Sequence, residues 1–300
     1  MKKIIIPILL ILLFNALSSA QEYEILEDFK PGFGEPIGII ADAQGRAVVI
    51  HAKTEQAFRL KKGILLYNGD TLVTYEDGRL GLQFKDSSTS SILSNSKIRI
   101  DRTLYDPEAG YRSSFISLVK GKARFWVKKL VDFTKRDFQV KSKTAIVGVR
   151  GSDFVVDALP KGIQVSTLED TRLKLSLYRN CKESSGSEKN DCQVKHYELS
   201  DFQKAVAAED ALKLEISTLT QEEIRLIRKN FPQVTPLDKI PAPDALYYSS
   251  ENYVKNDTET GADTISLEEI DTDFDSIEDD IMDNISDPEI DLPTYPYDPG

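Results

Sequence analysis

The feature that most limits how this chain can fold is a series of short apolar runs, separated by turn signals, that fills residues 37–177. Ala47-Val48-Val49-Ile50 is the first clear run. Residues 64–67 end at Asn68-Gly69-Asp70, a turn signal, and Thr71-Leu72-Val73-Thr74 follows. After Glu76-Asp77-Gly78, the side chains of Leu80, Leu82 and Phe84 alternate with Gly81, Gln83 and Lys85, the period of two of a half-buried strand. Ile98 and Ile100 alternate with Arg99 in the same way. Residues 115–119 and 123–127 flank Lys120-Gly121-Lys122, which reads as a hairpin or tight corner. Residues 138–140, 145–147, 154–156, 162–165 and 173–177 complete about a dozen short strands with turns every ~8–12 residues, the spacing of a sandwich, barrel or solenoid. No strong internal repeat accompanies it.

The flanks read differently. Residues 21–36, with Pro31, Gly32, Gly34 and Pro36, form an extended lead-in rather than a regular element. Thr220-Gln221-Glu222-Glu223 is a capping box, and it starts a helix with Ile224, Leu226 and Ile227 on an apolar face and Arg225, Arg228 and Lys229 on a basic one; Pro232 ends it. Residues 200–214 are a second helical candidate. From Thr235 the periodicity is lost, and Pro236, Pro241 and Pro243 mark a linker. Residues 256–300 carry sixteen Asp or Glu and no Lys or Arg. They hold too little apolar surface to offset the entropy of ordering, so they read as disordered, although Ile265, Leu267, Ile270 and the isoleucines after them would permit an amphipathic helix on a partner. The formal net charge of -11 therefore misdescribes the body: setting aside the acidic tail and Lys2 and Lys3, residues 21–255 stand at about +3.

Lys2 and Lys3, the apolar run of residues 4–14 and Ser18-Ser19-Ala20 read as a secretory signal peptide, with the mature chain starting near Gln21. The run is shorter than the roughly 20 residues of a membrane-spanning helix, no later segment is apolar enough to span, and no Cys follows the small residues to carry a lipid. In an exported chain the two cysteines, Cys181 and Cys192, read as a disulfide stapling a Ser-, Gly- and charge-rich loop tip. The expected division is a signal peptide at 1–20, the lead-in at 21–36, a β domain at 37–180, a disulfide loop and short helical extension at 181–234, and a linker and acidic tail at 235–300.

The order of motifs in residues 45–156 resembles the FecR domain of bacterial envelope proteins. The stretches that carry the resemblance are Gly45-Arg46-Ala47-Val48-Val49, Leu60-Lys61-Lys62-Gly63, Gly69-Asp70-Thr71-Leu72-Val73-Thr74 and Gly78-Arg79-Leu80-Gly81-Leu82-Gln83-Phe84-Lys85-Asp86. Leu118-Val119-Lys120-Gly121-Lys122-Ala123, then Phe138-Gln139-Val140, and finally Ala145 through Val149-Arg150-Gly151-Ser152-Asp153-Phe154-Val155-Val156 complete it. The resemblance implies a mainly β domain of solenoid-like or sandwich-like form, acting outside the cytoplasm. The best-known members are anti-sigma regulators that sense an outer-membrane receptor. Those have a cytoplasmic helical segment and a membrane span before the domain, whereas here a signal peptide leads into it, so this chain looks similar to the stand-alone exported members instead. In physical terms, Gly63, Gly69, Gly78, Gly121 and Gly151 fall at strand ends where positive φ is often needed. Asp70 and Thr74 can hold the turn between them through local backbone bonds. Arg150 is placed to bridge carbonyls or to pair with Asp153 or Asp70, and Phe154 opens a core strand.

Recognisable chemistry is sparse. His51 and His196 stand far apart without metal-ligand spacing and read as ordinary surface or turn residues. No Gly-x-Ser-x-Gly elbow occurs, Gly148 to Ser152 lacks the Lys and spacing of a phosphate loop, and Asp271-Thr272-Asp273 lacks the Gly and Glu of a calcium loop. No catalytic set, cofactor or metal is therefore expected, and the net charge of an exported chain argues against nucleic acid. One surface stands out: Lys122, Arg124, Trp126 and Lys128 make a basic, aromatic ridge suited to an anionic glycan or lipid headgroup, against the plainer reading of a strand with Phe125 and Val127 inward and solvated charges outward. The expected function is that of a non-enzymatic envelope protein, periplasmic or at the cell surface, whose β domain binds a protein or polymer; the alternative is a secreted structural protein with no signalling role.

Overall fold

The computed structural model describes residues 22–52, 56–179, 193–209, 212–231, 233–237, 240 and 264–266. Its strands, in chain order, are β1 (Glu22–Leu26), β2 (Gly38–Gln44), β3 (Ala47–Ile50), β4 (Ala57–Arg59), β5 (Leu65–Leu66), β6 (Thr71–Thr74), β7 (Arg79–Phe84), β8 (Thr89–Ile92) and β9 (Ser96–Asp106). They continue as β10 (Tyr111–Val127), β11 (Lys135–Lys141), β12 (Ala145–Val149), β13 (Ser152–Leu159), β14 (Gly162–Thr167), β15 (Leu173–Arg179), β16 (Gln193–Leu199), β17 (Gln203–Ala208) and β18 (Glu215–Thr218). Helix α1 (Gln221–Asn230) and a three-residue strand, β19 (Thr264–Ser266), follow.

The chain winds back and forth between two layers. The first sheet runs β1-β4-β3-β6-β9-β10-β11-β12-β15-β16. It is antiparallel except for the β1–β4 and β10–β11 pairs. The second sheet runs β5-β2-β7-β8-β10-β13-β14-β17-β18, antiparallel throughout. Strand β10 belongs to both: its first part pairs with β9 and β11, and from Gly121 it pairs with β13 and then β8. The expected hairpin or corner at Lys120-Gly121-Lys122 is thus a corner within one unbroken strand that changes layers.

Gly121 makes that corner possible. Its φ is +88°, and a Cβ there would sit 2.6 Å from the Cα of Ser96, so both the left-handed backbone and the close crossing exclude a side chain. Ser96 Oγ accepts the Lys122 N–H at 3.0 Å. Ser96 N–H in turn donates to Thr74 Oγ1 at 3.0 Å, and that hydroxyl donates to the Leu93 carbonyl at 2.6 Å. Thr74 therefore ties β6 to the start of β9 and not, as its spacing from Asp70 suggested, the turn beside it.

The layers meet through side chains of period two. Phe84 and Phe125 from the second sheet pack with Phe138 from the first, with ring centroids 6.2 and 6.0 Å apart, and Phe154 stacks on Phe125 at 5.4 Å; each fully buried side chain of this size stabilises by about 1.5–3 kcal/mol. Arg112 lies fully buried among them. Its Nη1 donates to Asp86 Oδ2 at 2.9 Å and to the Lys128 carbonyl at 2.8 Å, its Nη2 to the Arg136 carbonyl at 2.8 Å, and its guanidinium faces the Phe138 ring. Asp86 also accepts from the Ser88 N–H and Oγ–H. One cation thus joins the first sheet to the turn after β7 in the second.

Two expectations are corrected. Residues 203–208, inside the second helical candidate, form β17. Ala205 and Ala207 alternate inward onto the core while β17 pairs with β14 and β18, so neighbouring strands override the helix preference of alanine. The lead-in is not wholly irregular, because β1 pairs with β4 and also with β19 from the acidic segment. The signal-peptide region, both cysteines and most of residues 241–300 lie outside the described residues. Helix α1 has the expected capping box, with the Glu223 N–H donating to Thr220 Oγ1 and the Thr220 N–H to Glu223.

Candidate binding face

The ridge read from residues 122–128 lies on the outer face of the second sheet, with Ala123, Phe125 and Val127 pointing inward. Its four members differ in environment. Lys128 is exposed. Lys122 pairs with Asp157 of the adjacent β13 at 2.6 Å. Arg124 is not a surface residue: it is only 4% exposed. Its Nε and Nη2 hold both oxygens of Asp153, at 2.8 and 2.6 Å, and the guanidinium lies 3.6 Å from the centre of the half-buried Trp126 ring. Burial pushes the Asp153 carboxyl above the usual range, with Arg124 pulling it back down.

What covers Arg124 is the chain after α1. Arg124 Nη1 donates to the Phe231 carbonyl at 3.1 Å. Val234 packs over Gly81 of β7, where a Cβ would come within 3.1 Å of its methyl. Leu237 then makes a pair of hydrogen bonds with a side chain: its N–H donates to Gln83 Oε1 at 2.6 Å, and Gln83 Nε2 donates to its carbonyl at 3.1 Å. Leu237 and Ile240 finish against Ile39, Leu65 and Tyr67. Phe231, residues 233–237 and Ile240 thus form a strap crossing from β10 over β7 to β2 and β5. Helix α1 anchors it. Lys204 meets Glu223 at 2.5 Å and holds its carboxyl down to about 2. Arg228 meets Glu169 at 2.7 Å, and Ile224 packs with Leu168 and Leu219.

The strap has a sequence signature that the helix and strand periods do not detect. Phe231 and Val234 are buried and Leu237 and Ile240 partly so, while Gln233, Thr235 and Pro236 are exposed. That spacing of three, amid Pro232, Pro236 and Pro241, is the repeat of polyproline II.

The other singled-out residues sit elsewhere. Asp70 Oδ2 accepts the Tyr67 N–H at 2.8 Å, holding the turn as expected. Its Oδ1 lies 2.6 Å from His51 Nδ1, and His51 Nε2 lies 3.0 Å from the Lys30 carbonyl. His51 is therefore buried among Phe29, Phe58 and Tyr67, not a surface residue. Both ring nitrogens face acceptors, so one proton lies between His51 and Asp70 whichever of them carries it. Burial raises the Asp70 carboxyl above its ordinary value, against the hydrogen bond from His51. His196 is exposed and bonds Ser176 Oγ. Arg150 is exposed and meets neither expected acid, because Asp153 pairs with Arg124 and Asp70 with His51. Gly151 has φ +149° and lets β13 start against Lys129, and Phe154 stacks on Phe125 in the core. Among the described residues no group of His, Cys, Asp or Glu is placed to hold a metal ion, and no helix is long and apolar enough to cross a membrane.

Residues 70–171 match the family model described as FecR protein. No curated protein sequence matches the chain. Two crystal structures of a proposed anti-sigma factor from Parabacteroides distasonis are similar: one at 13% identity, covering 52% of this chain with a TM-score of 0.37, the other at 14%, covering 51% with a TM-score of 0.36. The chain spans 62% and 61% of their lengths. By the family match, this chain carries a FecR domain at residues 70–171, which takes in β6 to β14 whole and so the layer-changing strand.

Proposed function

We propose that this chain is an exported, non-catalytic envelope protein whose FecR domain binds a protein or polymer partner through the outer face of its second sheet. The single observation that carries the reading is that this face already grips an extended main chain with side chains, Gln83 and Arg124 each bonding backbone groups of the strap. Main-chain recognition by a rigid sheet, with an aromatic and cations alongside, is the equipment of a binding surface. Envelope association is the family's usual setting and agrees with the signal peptide expected at residues 1–20. A disulfide between Cys181 and Cys192 belongs to the same reading, since β15 and β16 place Arg179 opposite Gln193, next to the cysteine loop.

The test is photo-crosslinking in cells. A crosslinking residue at Lys128, on this face, is compared with one at Lys174, exposed on the first sheet, in periplasmic, outer-membrane and medium fractions. One dominant envelope partner captured from position 128 and not from 174 supports the reading. Recovery mainly in the medium, with no partner at either position, overturns it in favour of a secreted structural protein. N-terminal sequencing of the recovered protein checks export directly, with a start near Gln21 expected.

A further inference from the structure

Resting on that reading of the face, we propose that its ligand is an extended, proline-spaced peptide with an apolar residue at every third position, and that Phe231, Val234, Leu237 and Ile240 of the strap occupy the site in cis until a partner's segment of this kind displaces them.

Three observations define the ligand. First, the polar contacts on the strap go to its backbone: Arg124 to the Phe231 carbonyl, and Gln83 to both the N–H and the carbonyl of Leu237. Such contacts fix an extended chain in register without reading side chains, so another segment of the same shape can make them. Second, selectivity comes from the spacing of the apolar seats. Phe231, Val234, Leu237 and Ile240 enter at intervals of three, whereas a β-strand would present every second residue and a helix every third or fourth. Third, one seat is a notch at Gly81, where an added Cβ would meet Val234 of the strap and also, at 3.2 Å, the Asp42 Cβ of the neighbouring β2. Gly81 lies mid-strand in β7 and does not have the positive φ that would demand glycine. What the missing side chain provides is room: a Cβ at Gly81 would press on both Val234 methyls at 3.1 and 3.3 Å.

The occupancy is uneven, and that allows exchange. Phe231 and Val234 are buried next to α1, while Leu237 and Ile240 at the far end are only partly covered. A competing peptide can therefore enter at Ile39, Leu65 and Tyr67 and advance toward Arg124. Full displacement uncovers Arg124 and joins it to Lys122, Trp126 and Lys128 as the open basic and aromatic ridge. An extended proline-containing ligand suits this because its unbound form already has restricted backbone freedom, which lowers the entropy lost on docking.

The experiment uses full-length protein and a fluorescent peptide with the sequence of residues 231–243. Wild type is compared with a strap-weakened Val234→Asp/Leu237→Asp chain by fluorescence anisotropy. We expect the peptide to bind the weakened chain at least about tenfold more tightly than wild type, because the cis competitor is gone, a difference of ~1.4 kcal/mol. Adding Gly81→Leu to the weakened chain, which fills the notch, should abolish binding. A peptide of the same composition with its apolar residues respaced at intervals of two should not bind. A weakened chain that keeps its far-UV circular dichroism but does not bind, or binds the respaced peptide equally, overturns the proposal. Should the weakened chain not fold, hydrogen exchange on wild type decides: excess peptide must lower protection of the Leu237 amide, and unchanged protection refutes displacement. Failure here alongside a partner captured at Lys128 removes only the peptide chemistry. A peptide that binds while no partner is captured removes the envelope role and leaves the site standing.

Discussion

Replacing Asp86 by Ala should cost far more than the hydrogen bonds it removes, because it strands the Arg112 guanidinium at full burial. The side chains of Arg112 and Asp86 are 0% and 2% exposed. Removing one partner of such a pair typically destabilises by about 3–5 kcal/mol, since the remaining charge has neither water nor a counter-ion. Arg112 would keep the Lys128 and Arg136 carbonyls, which places Asp86→Ala near the lower end, while loss of the Ser88 bonds pushes it up again. Arg112→Met loses two carbonyl bonds but leaves Asp86 held by Ser88, so a similar magnitude is expected. The double variant replaces the pair by apolar atoms against Phe138 and strands no charge. Its cost should therefore fall short of the summed single costs by about 2 kcal/mol or more. Urea denaturation of all four proteins measures the cycle directly. Costs that add to within about 0.5 kcal/mol would refute the claim that the two charges act as one buried unit.

Three further outcomes are expected. Gly121→Ala should destabilise by ~2–5 kcal/mol, combining the left-handed backbone penalty with the contact on Ser96, and a change under 1 kcal/mol in the same urea assay would contradict the crossover account. Ending the chain after residue 240 should leave the thermal midpoint within a few degrees of full length. Ending it after residue 230 should lower it clearly, because Phe231 and Val234 each lose about 1.5–3 kcal/mol of burial at ~2–4 °C per kcal/mol; equal midpoints would remove the strap's structural role. Burial raises Asp70 in the native state, so the folded chain keeps a proton there that the unfolded carboxyl has lost above pH ~4. That contribution to stability is complete below the unfolded value and lost as pH rises through the native one, at up to ~1.4 kcal/mol per pH unit. The urea midpoint of wild type relative to Asp70→Asn should accordingly fall as pH rises through that window, and a flat difference would show that Asp70 is not held protonated.

The strands were legible because their signal is local. Leu80, Leu82 and Phe84 alternate, Asn68-Gly69-Asp70 turns, and the capping box at Thr220 names its own helix start. The pairing of residues 203–208 was not legible, since Ala205 and Ala207 suit a helix until β14 and β18 are set beside them. The candidate face was half legible: the alternation of residues 122–128 put Lys122, Arg124, Trp126 and Lys128 on one side. Nothing local said that Arg124 would be covered, because Phe231 lies more than a hundred residues away and joins it only through the fold. The strap's period of three was present in Phe231, Val234, Leu237 and Ile240, and a search for that period could have found it.

By itself, then, the sequence determined the β-rich character, the turns, the helix start and which side of each strand faces in, since these depend on neighbours within a few residues. The tertiary structure alone decided that β10 serves two sheets, that Arg112 and Asp86 meet in the core, that His51 is buried against Asp70 and Lys30, and that Arg124 of the ridge lies beneath its own chain. Those facts depend on groups far apart in sequence, and only packing brings them within the few ångströms at which a hydrogen bond or ion pair acts.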